Sequence, residues 1–204
     1  MPFGSLRPSL FGVASLVASL VVALGSTGCL GPSVDRSGPT ACAADAYEAN
    51  DTKESARDLG SLKDDPDSAR SLEATVHLGS DVDWYRVHVS DTGLGGNPNV
   101  SVAVSQGFSV TTWFVCDQGR VTDKVCLQGS SETTTVDGVE GCRGAVPEPG
   151  TDASGNTVYP TDPVAASTTD CSGTSDDNGV LFIKVERSSS VSSSCAYDLS
   201  VAID

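Results

Sequence analysis

After residue 70 the dominant period along the chain is two. In DVDWYRVHV, Tyr85, Val87 and Val89 fall on one side, and Trp84, Arg86 and His88 on the other. NVSVAVS sets Val100, Val102 and Val104 against Asn, Ser and Ala, and SVTTWFVC is β-branched and aromatic. Near the end, VLFIKVE groups Leu181, Ile183 and Val185, and CAYDLSVAI groups Tyr197, Leu199, Val201 and Ile203. Successive strand side chains point to opposite faces, so this pattern describes strands with one apolar and one wet face. Antiparallel sheets carry such strands, and two of them packed by their apolar faces make a sandwich. The one helix candidate is short, over Thr52–Leu59. The expected class is all-β, an antiparallel β-sandwich.

Residues 128–178 break the pattern. They are crowded with Ser, Thr, Gly, Asp and Pro and poor in large apolar groups. A structureless loop of that length is unusual in a compact domain. The expectation is a surface excursion with one or two short strands, pinned by Cys142 and Cys171.

The beginning of the chain reads as a targeting segment. Arg7 precedes an apolar run from Leu10 to Leu24, shorter than the roughly 20 residues a membrane-spanning helix needs. Gly25, Ser26, Thr27 and Gly28 then lead to Cys29. This resembles the bacterial lipobox, although Ser26 stands where that motif usually has Leu. The resemblance implies a signal peptide over 1–28 and lipid (palmitate among it) on Cys29. It also implies an anchor of two or three acyl chains, durable because each buried methylene contributes about 0.8 kcal/mol. Leu30, not Asp, follows the cysteine, which in lipoproteins of this kind implies sorting to the outer membrane. An ordinary signal peptide cut nearby is the alternative. Residues 29–41, rich in Gly, Pro and Ser, read as a flexible tether, leaving 42–204 as the domain.

The chain has seven cysteines. With Cys29 lipidated, an even number remains in an exported domain, which is disulfide arithmetic. The favoured pairing is Cys116–Cys126 across neighbouring strands, Cys142–Cys171 closing the Ser/Thr-rich loop, and Cys42–Cys195 tying the ends. A cysteine zinc site fits less well, because no two cysteines have C-x-x-C spacing and His77 and His88 sit in strand-like segments. The formal net charge is −15, which repels nucleic acid and attracts cations.

The segment Asp45-Ala-Tyr-Glu-Ala-Asn-Asp-Thr52, then Ala56 and Leu59-Gly60, then Asp81-Val-Asp-Trp-Tyr85, resembles the bacterial pre-peptidase C-terminal domain, with Ala49 in place of its usual Pro. The resemblance covers Asp45–Val89 well, the last strands less well, and 128–176 not at all. It implies a β-sandwich of jelly-roll type acting as a non-catalytic accessory module. In some members of that family calcium binds near the Glu-x-Asn-Asp segment, here Glu48, Asn50 and Asp51. Calcium takes six to eight oxygen ligands. Glu48, Asn50 and Asp51 can converge on one point if they lie in a turn, and Asp81 and Asp83, sharing a strand face by period two, complete the cluster if the two segments meet. The competing reading is local: Asp51 or Thr52 caps the short turn and Asn50 bonds nearby backbone.

No motif for a nucleophilic serine, a zinc protease or a phosphate-binding loop is present. The expected role is therefore non-catalytic: an envelope-anchored module with a polysaccharide or protein partner, or else a structural spacer. Trp84 and Trp113 are the side chains best suited to a sugar platform, and their strand positions favour packing instead.

Overall fold

The computed structural model describes residues 42–64, 68–77, 80–91, 96–146, 150–158, 162–173, 177–188 and 195–204. The expected signal peptide, the tether and Cys29 lie outside them. No helix among the described residues is long and apolar enough to cross a membrane.

The strands are β1 (Arg57–Lys63), β2 (Ser68–Thr75), β3 (Val82–Ser90), β4 (Asn99–Val104), β5 (Phe108–Cys116), β6 (Val121–Leu127), β7 (Ser131–Val136), β8 (Val139–Arg143), β9 (Gly150–Thr151), β10 (Thr157–Val158), β11 (Val164–Cys171), β12 (Gly179–Arg187) and β13 (Ala196–Ile203). A six-stranded sheet runs β1-β3-β12-β5-β8-β7 and a five-stranded sheet runs β2-β13-β4-β11-β6; β9 and β10 form a separate ribbon. The inner four strands of the first, β3-β12-β5-β8, face β2-β13-β4-β11 of the second, and the chain changes sheet as it passes from β2 to β3, β4 and β5, and again through β11, β12 and β13. That wrapping is the jelly roll. β1 departs from the antiparallel rule by pairing parallel to β3 on its outer edge, with a shift of register between Asp58 and Ser61. Gly60 sits in that irregularity at φ +87°, a conformation other residues rarely adopt.

The period-two faces point where the sequence requires. Tyr85, Val87, Val89, Val100, Val102, Val104, Leu181, Ile183, Val185, Leu199, Val201 and Ile203 are all buried in one core between the sheets. Each large apolar side chain so buried contributes about 1.5–3 kcal/mol. On the outer face of the six-stranded sheet, Trp84 and Trp113 stack at 5.3 Å and close with Ala56 into a smaller cluster. Trp113 is able to tuck in because its neighbour on β8 is Gly141, where a Cβ would lie 2.6 Å from its Nε1.

Three expectations need correction. The Thr52–Leu59 helix is a single 3-10 turn over Lys53–Ser55, capped by Thr52, and β1 starts at Arg57. Residues 128–178 are not a mere excursion. They hold β7 to β11, and β8 and β11 lie within the two sheets. The core face of β11 is Ala165, Ser167, Thr169 and Cys171, all buried, too small and polar for its alternation to register as a strand.

The cysteines join as Cys42–Cys195, Cys116–Cys171 and Cys126–Cys142, with Cα–Cα distances of 6.0, 5.9 and 5.6 Å. The first is as expected; the other two replace Cys116–Cys126 and Cys142–Cys171. Cys116 ends β5 in one sheet, and Cys171, ending β11 in the other, pairs in register with Val121 at the start of β6. Cys126 lies further along β6, about 16 Å from Val121 at 3.3 Å per residue, beyond the Cα separation a disulfide spans. It meets Cys142 on β8 instead. Both bonds cross between sheets.

Candidate metal centre

The turn from β2 to β3 crosses from one sheet to the other, and the segment leading from Cys42 lies against it. Asp45 fixes that segment: its Oδ1 accepts from Tyr47 N at 2.7 Å and its Oδ2 from Thr75 N at 2.6 Å. Tyr47 then packs edge-on against Tyr85 at 5.9 Å. The backbone of Cys42 donates to the His77 carbonyl, Val76 donates to the Cys195 carbonyl, and Trp84 donates to the Asn50 carbonyl. The Cys42–Cys195 bond closes the same corner. Backbone contacts and a cross-link thus hold Glu48, Asn50 and Asp51 against Asp81 and Asp83.

All five expected ligands meet there. The Asn50 amide, itself buried, lies 3.0 Å from Glu48 Oε2 and 3.3 Å from Asp83 Oδ1, donating to both in its hydrogen-bonding orientation. Asp51 meets Asp81. Its carboxyl is held above the usual range chiefly by a carboxyl–carboxyl hydrogen bond to Asp81, which only a protonated form can make. Asp83 is pushed up to about 7, first by burial and then by the negative charges of Asp81, Glu48 and Asp45; a hydrogen bond from Tyr197 opposes the rise. That bond is 2.6 Å long, and Tyr85 lies 2.7 Å behind it on the Tyr197 hydroxyl. Burial, the first cause in both, raises the two tyrosines, so they remain protonated donors.

One residue at the centre was not among the expected ligands. His77 Nδ1 lies 2.7 Å from Glu48 Oε1 and 2.7 Å from Asp81 Oδ2, and the ligand atoms of Glu48, His77 and Asp81 all fall within 4.8 Å of one another. Asp81 Oδ2 also accepts from the His77 backbone at 2.6 Å. Burial lowers the imidazole pKa, but the carboxylates of Asp81 and Glu48 outweigh it and hold it above the ordinary value. Glu48 Oε1, His77 Nδ1 and Asp81 Oδ1 are buried without a hydrogen-bond partner. His77 looked like part of a strand because TVH continues the alternation of β2. The pointer that was available is HLGSD, with His and Asp at i and i+4.

Two other candidate features are closed or remote. Trp84 and Trp113 are only 9% and 4% exposed, so their stacked faces offer no sugar platform. His88 lies on the outer face of β3, 3.6 Å from Asp58, and shares nothing with His77.

No known protein family matches the chain, and no curated protein matches it. Among solved structures it is similar to CorA, a surface-associated copper-binding protein important in copper acquisition by Methylomicrobium album BG8. The likeness has a TM-score of 0.30 and 11% identity, and covers 73% of this chain and 98% of that one.

Proposed function

We propose that this chain is a lipid-anchored protein of the cell envelope, placed on the outer membrane, that displays a non-catalytic β-sandwich module whose β2–β3 corner binds a divalent cation. One observation carries the cation site. Glu48 and Asp83 flank the buried Asn50 amide, Asp81 acts on Asp83 through its charge, and Asp51 meets Asp81 at the rim. Among the described residues, His77 is the one basic group within ion-pair distance of them. Crowded buried carboxylates repel one another unless protonated or balanced by a cation. A calcium ion, as the resemblance to the pre-peptidase C-terminal domain implies, would draw on the four carboxylates and on Asn50. Turning that amide over presents its Oδ1, in place of its NH2, beside Glu48 Oε2 and Asp83 Oδ1.

The anchor supports the same reading. A lipid on Cys29 would hold the module at the membrane, where it meets a polysaccharide or protein partner. A second reading, a structural spacer without a specific ligand, is favoured by the closed tryptophan pair. The exposed large apolar side chains among the described residues, Val125, Val146 and Val158, are separate in sequence and form no aromatic platform.

Two measurements test the proposal. The full chain should fractionate with membranes and carry acyl mass, and Cys29→Ser should abolish both; a soluble, unacylated wild type removes the anchor. For the cation site, a ligand at 100 times its Kd stabilises by about 2.7 kcal/mol, about 5–10 °C in Tm for a domain of this size. The midpoint should rise with divalent cation, calcium included, fall with chelator, and lose most of the response in Asp51→Ala. An indifferent midpoint with every divalent ion rejects the site.

A further inference from the structure

We infer that the ion at this corner is a borderline transition metal of the zinc class, bound in preference to calcium, with His77 Nδ1, Glu48 and Asp81 as its principal ligands. The inference rests on the cation site proposed above and adds the identity of the metal.

Three features carry it. The first is donor type. Calcium is a hard cation that collects oxygen ligands in a large, flexible sphere. The group at the centre here is an imidazole nitrogen, which suits zinc, copper, iron and nickel. An all-oxygen calcium sphere would have to exclude His77, yet its Nδ1 is in contact with a carboxylate oxygen on either side, at 2.7 Å each.

The second is the direction of the ligand atoms. A histidine in an ordinary ion pair aims its N–H at an oxygen. Here the contacts miss hydrogen-bond geometry, and Glu48 Oε1, His77 Nδ1 and Asp81 Oδ1 are each left unpartnered in a buried place. Buried polar atoms without partners are uncommon and call for an explanation such as an ion. The Asp81 side chain is only 1% exposed, so water cannot readily serve it. His77 Nδ1 and Glu48 Oε1 face each other at 2.7 Å, and Asp81 Oδ1 belongs to the carboxylate whose Oδ2 touches the same Nδ1, so one ion between the three side chains supplies the missing partner.

The third is size and access. Zinc binds nitrogen and carboxylate oxygen at about 2.0–2.2 Å, which sets tetrahedral ligand atoms about 3.4 Å apart. The present 2.7 Å contacts reach that by small rotations of side chains on loop segments, without moving a strand. The other carboxylates then have a role around the ion. Asp51, against Asp81, is placed to orient that ligand, as carboxylates hydrogen-bonded to metal ligands do, or to take the fourth position itself. The His77 and Glu48 side chains are 22% and 12% exposed, which leaves a way in for the metal.

The test uses the oxidised, exported chain after chelator treatment and dialysis, with zinc, calcium and cobalt(II) added separately to wild type, His77→Gln and Asp81→Asn. Zinc should bind more tightly than calcium. His77→Gln should weaken zinc by roughly 100-fold or more, since even outer-shell partners of a metal typically contribute 10–100-fold, while changing calcium binding little. Cobalt(II) should give a visible d–d spectrum that His77→Gln alters, and unchanged circular dichroism shows whether each variant folds. If His77→Gln fails to fold, the cobalt spectrum and nitrogen hyperfine coupling to wild-type copper(II) report the imidazole directly. Calcium binding as tight as zinc, with His77→Gln indifferent, overturns the inference and leaves the cation site standing. Zinc binding unaffected by His77→Gln places the metal elsewhere and also overturns it. No response to any metal rejects both this inference and the site beneath it.

Discussion

At the β2–β3 corner a single disulfide, Cys42–Cys195, holds a segment crowded with carboxylates against the sheets. On the opposite flank two disulfides, Cys116–Cys171 and Cys126–Cys142, join the sheets where β11 turns only small residues to the core. These regions use the same bond for different ends. On the flank, the core face of β11 offers Ala165, Ser167, Thr169 and Cys171, a fraction of the apolar area that Leu181, Ile183 and Val185 supply on β12. Covalent links there take the place of packing. At the corner the core is already complete, with Tyr85, Val76 and Tyr197 buried. The bond fixes polar groups that would otherwise separate under their own charge.

This contrast predicts different consequences for the same mutation. Replacing Cys42 and Cys195 by Ala opens a loop of sequence separation 153, for which the chain-entropy relation gives about 5 kcal/mol of lost stability. The metal response should go with it, because the segment carrying Glu48, Asn50 and Asp51 loses its pin. Denaturant unfolding with and without zinc or calcium measures both. Full retention of the response would show that the hydrogen bonds of Asp45 suffice and that the bond is only a staple.

Removing Cys116 and Cys171 opens a separation of 55, and removing Cys126 and Cys142 one of 16, costing about 4 and 3 kcal/mol by the same relation. Here the metal response should survive at temperatures where the variant is folded. If either pair costs almost nothing, small residues suffice to hold these sheets together. Non-reducing peptide mapping of the wild type gives the pairing independently; recovery of a Cys116–Cys126 peptide would undo the assignment of both flank disulfides.

What could be read from the chain follows the same division. The alternating strands β3, β4, β12 and β13 announce themselves because their core faces are large and apolar. β8 and β11 do not, since a disulfide-braced sheet has no need of large side chains, and composition then reads as loop. Cysteine partners were hidden for a related reason. Nearness along the chain favours Cys116–Cys126, whereas Cys116 meets the end of β11 beside Val121, and Cys126 lies at the far end of β6. At the corner, Glu48, Asn50, Asp51, Asp81 and Asp83 were legible from carboxylate spacing and the resemblance that goes with it. His77 was not, because TVH extends the period of β2 and only the fold shows that the strand ends at Thr75.

The smallest expected effect concerns Thr52, which directly follows Asp51, a proposed member of the cation site. Its Oγ1 accepts from Ser55 N at 3.3 Å while Ser55 Oγ accepts from Thr52 N at 3.1 Å, a reciprocal cap on the Lys53–Ser55 turn. Loss of such a cap typically costs about 0.5–2 kcal/mol. Thr52→Ala should fall near the low end, about 0.5 kcal/mol, because the turn is one 3-10 turn long and exposed, so water can satisfy the freed groups. Its value lies in separating two explanations of Asp51. If the Asp-Thr pair serves only to start the turn, Thr52→Ala and Asp51→Ala should cost similar amounts and neither should touch the metal response. If Asp51 belongs to the metal corner, the two variants part: Thr52→Ala loses a little stability and keeps the zinc or calcium shift, whereas Asp51→Ala loses the shift. In the absence of metal Asp51→Ala should even gain stability, since it removes one of two carboxyls that repel each other when both are ionised. Equal losses in the two variants, with the metal shift intact in both, would return Asp51 to the turn and leave the corner without its fourth carboxylate.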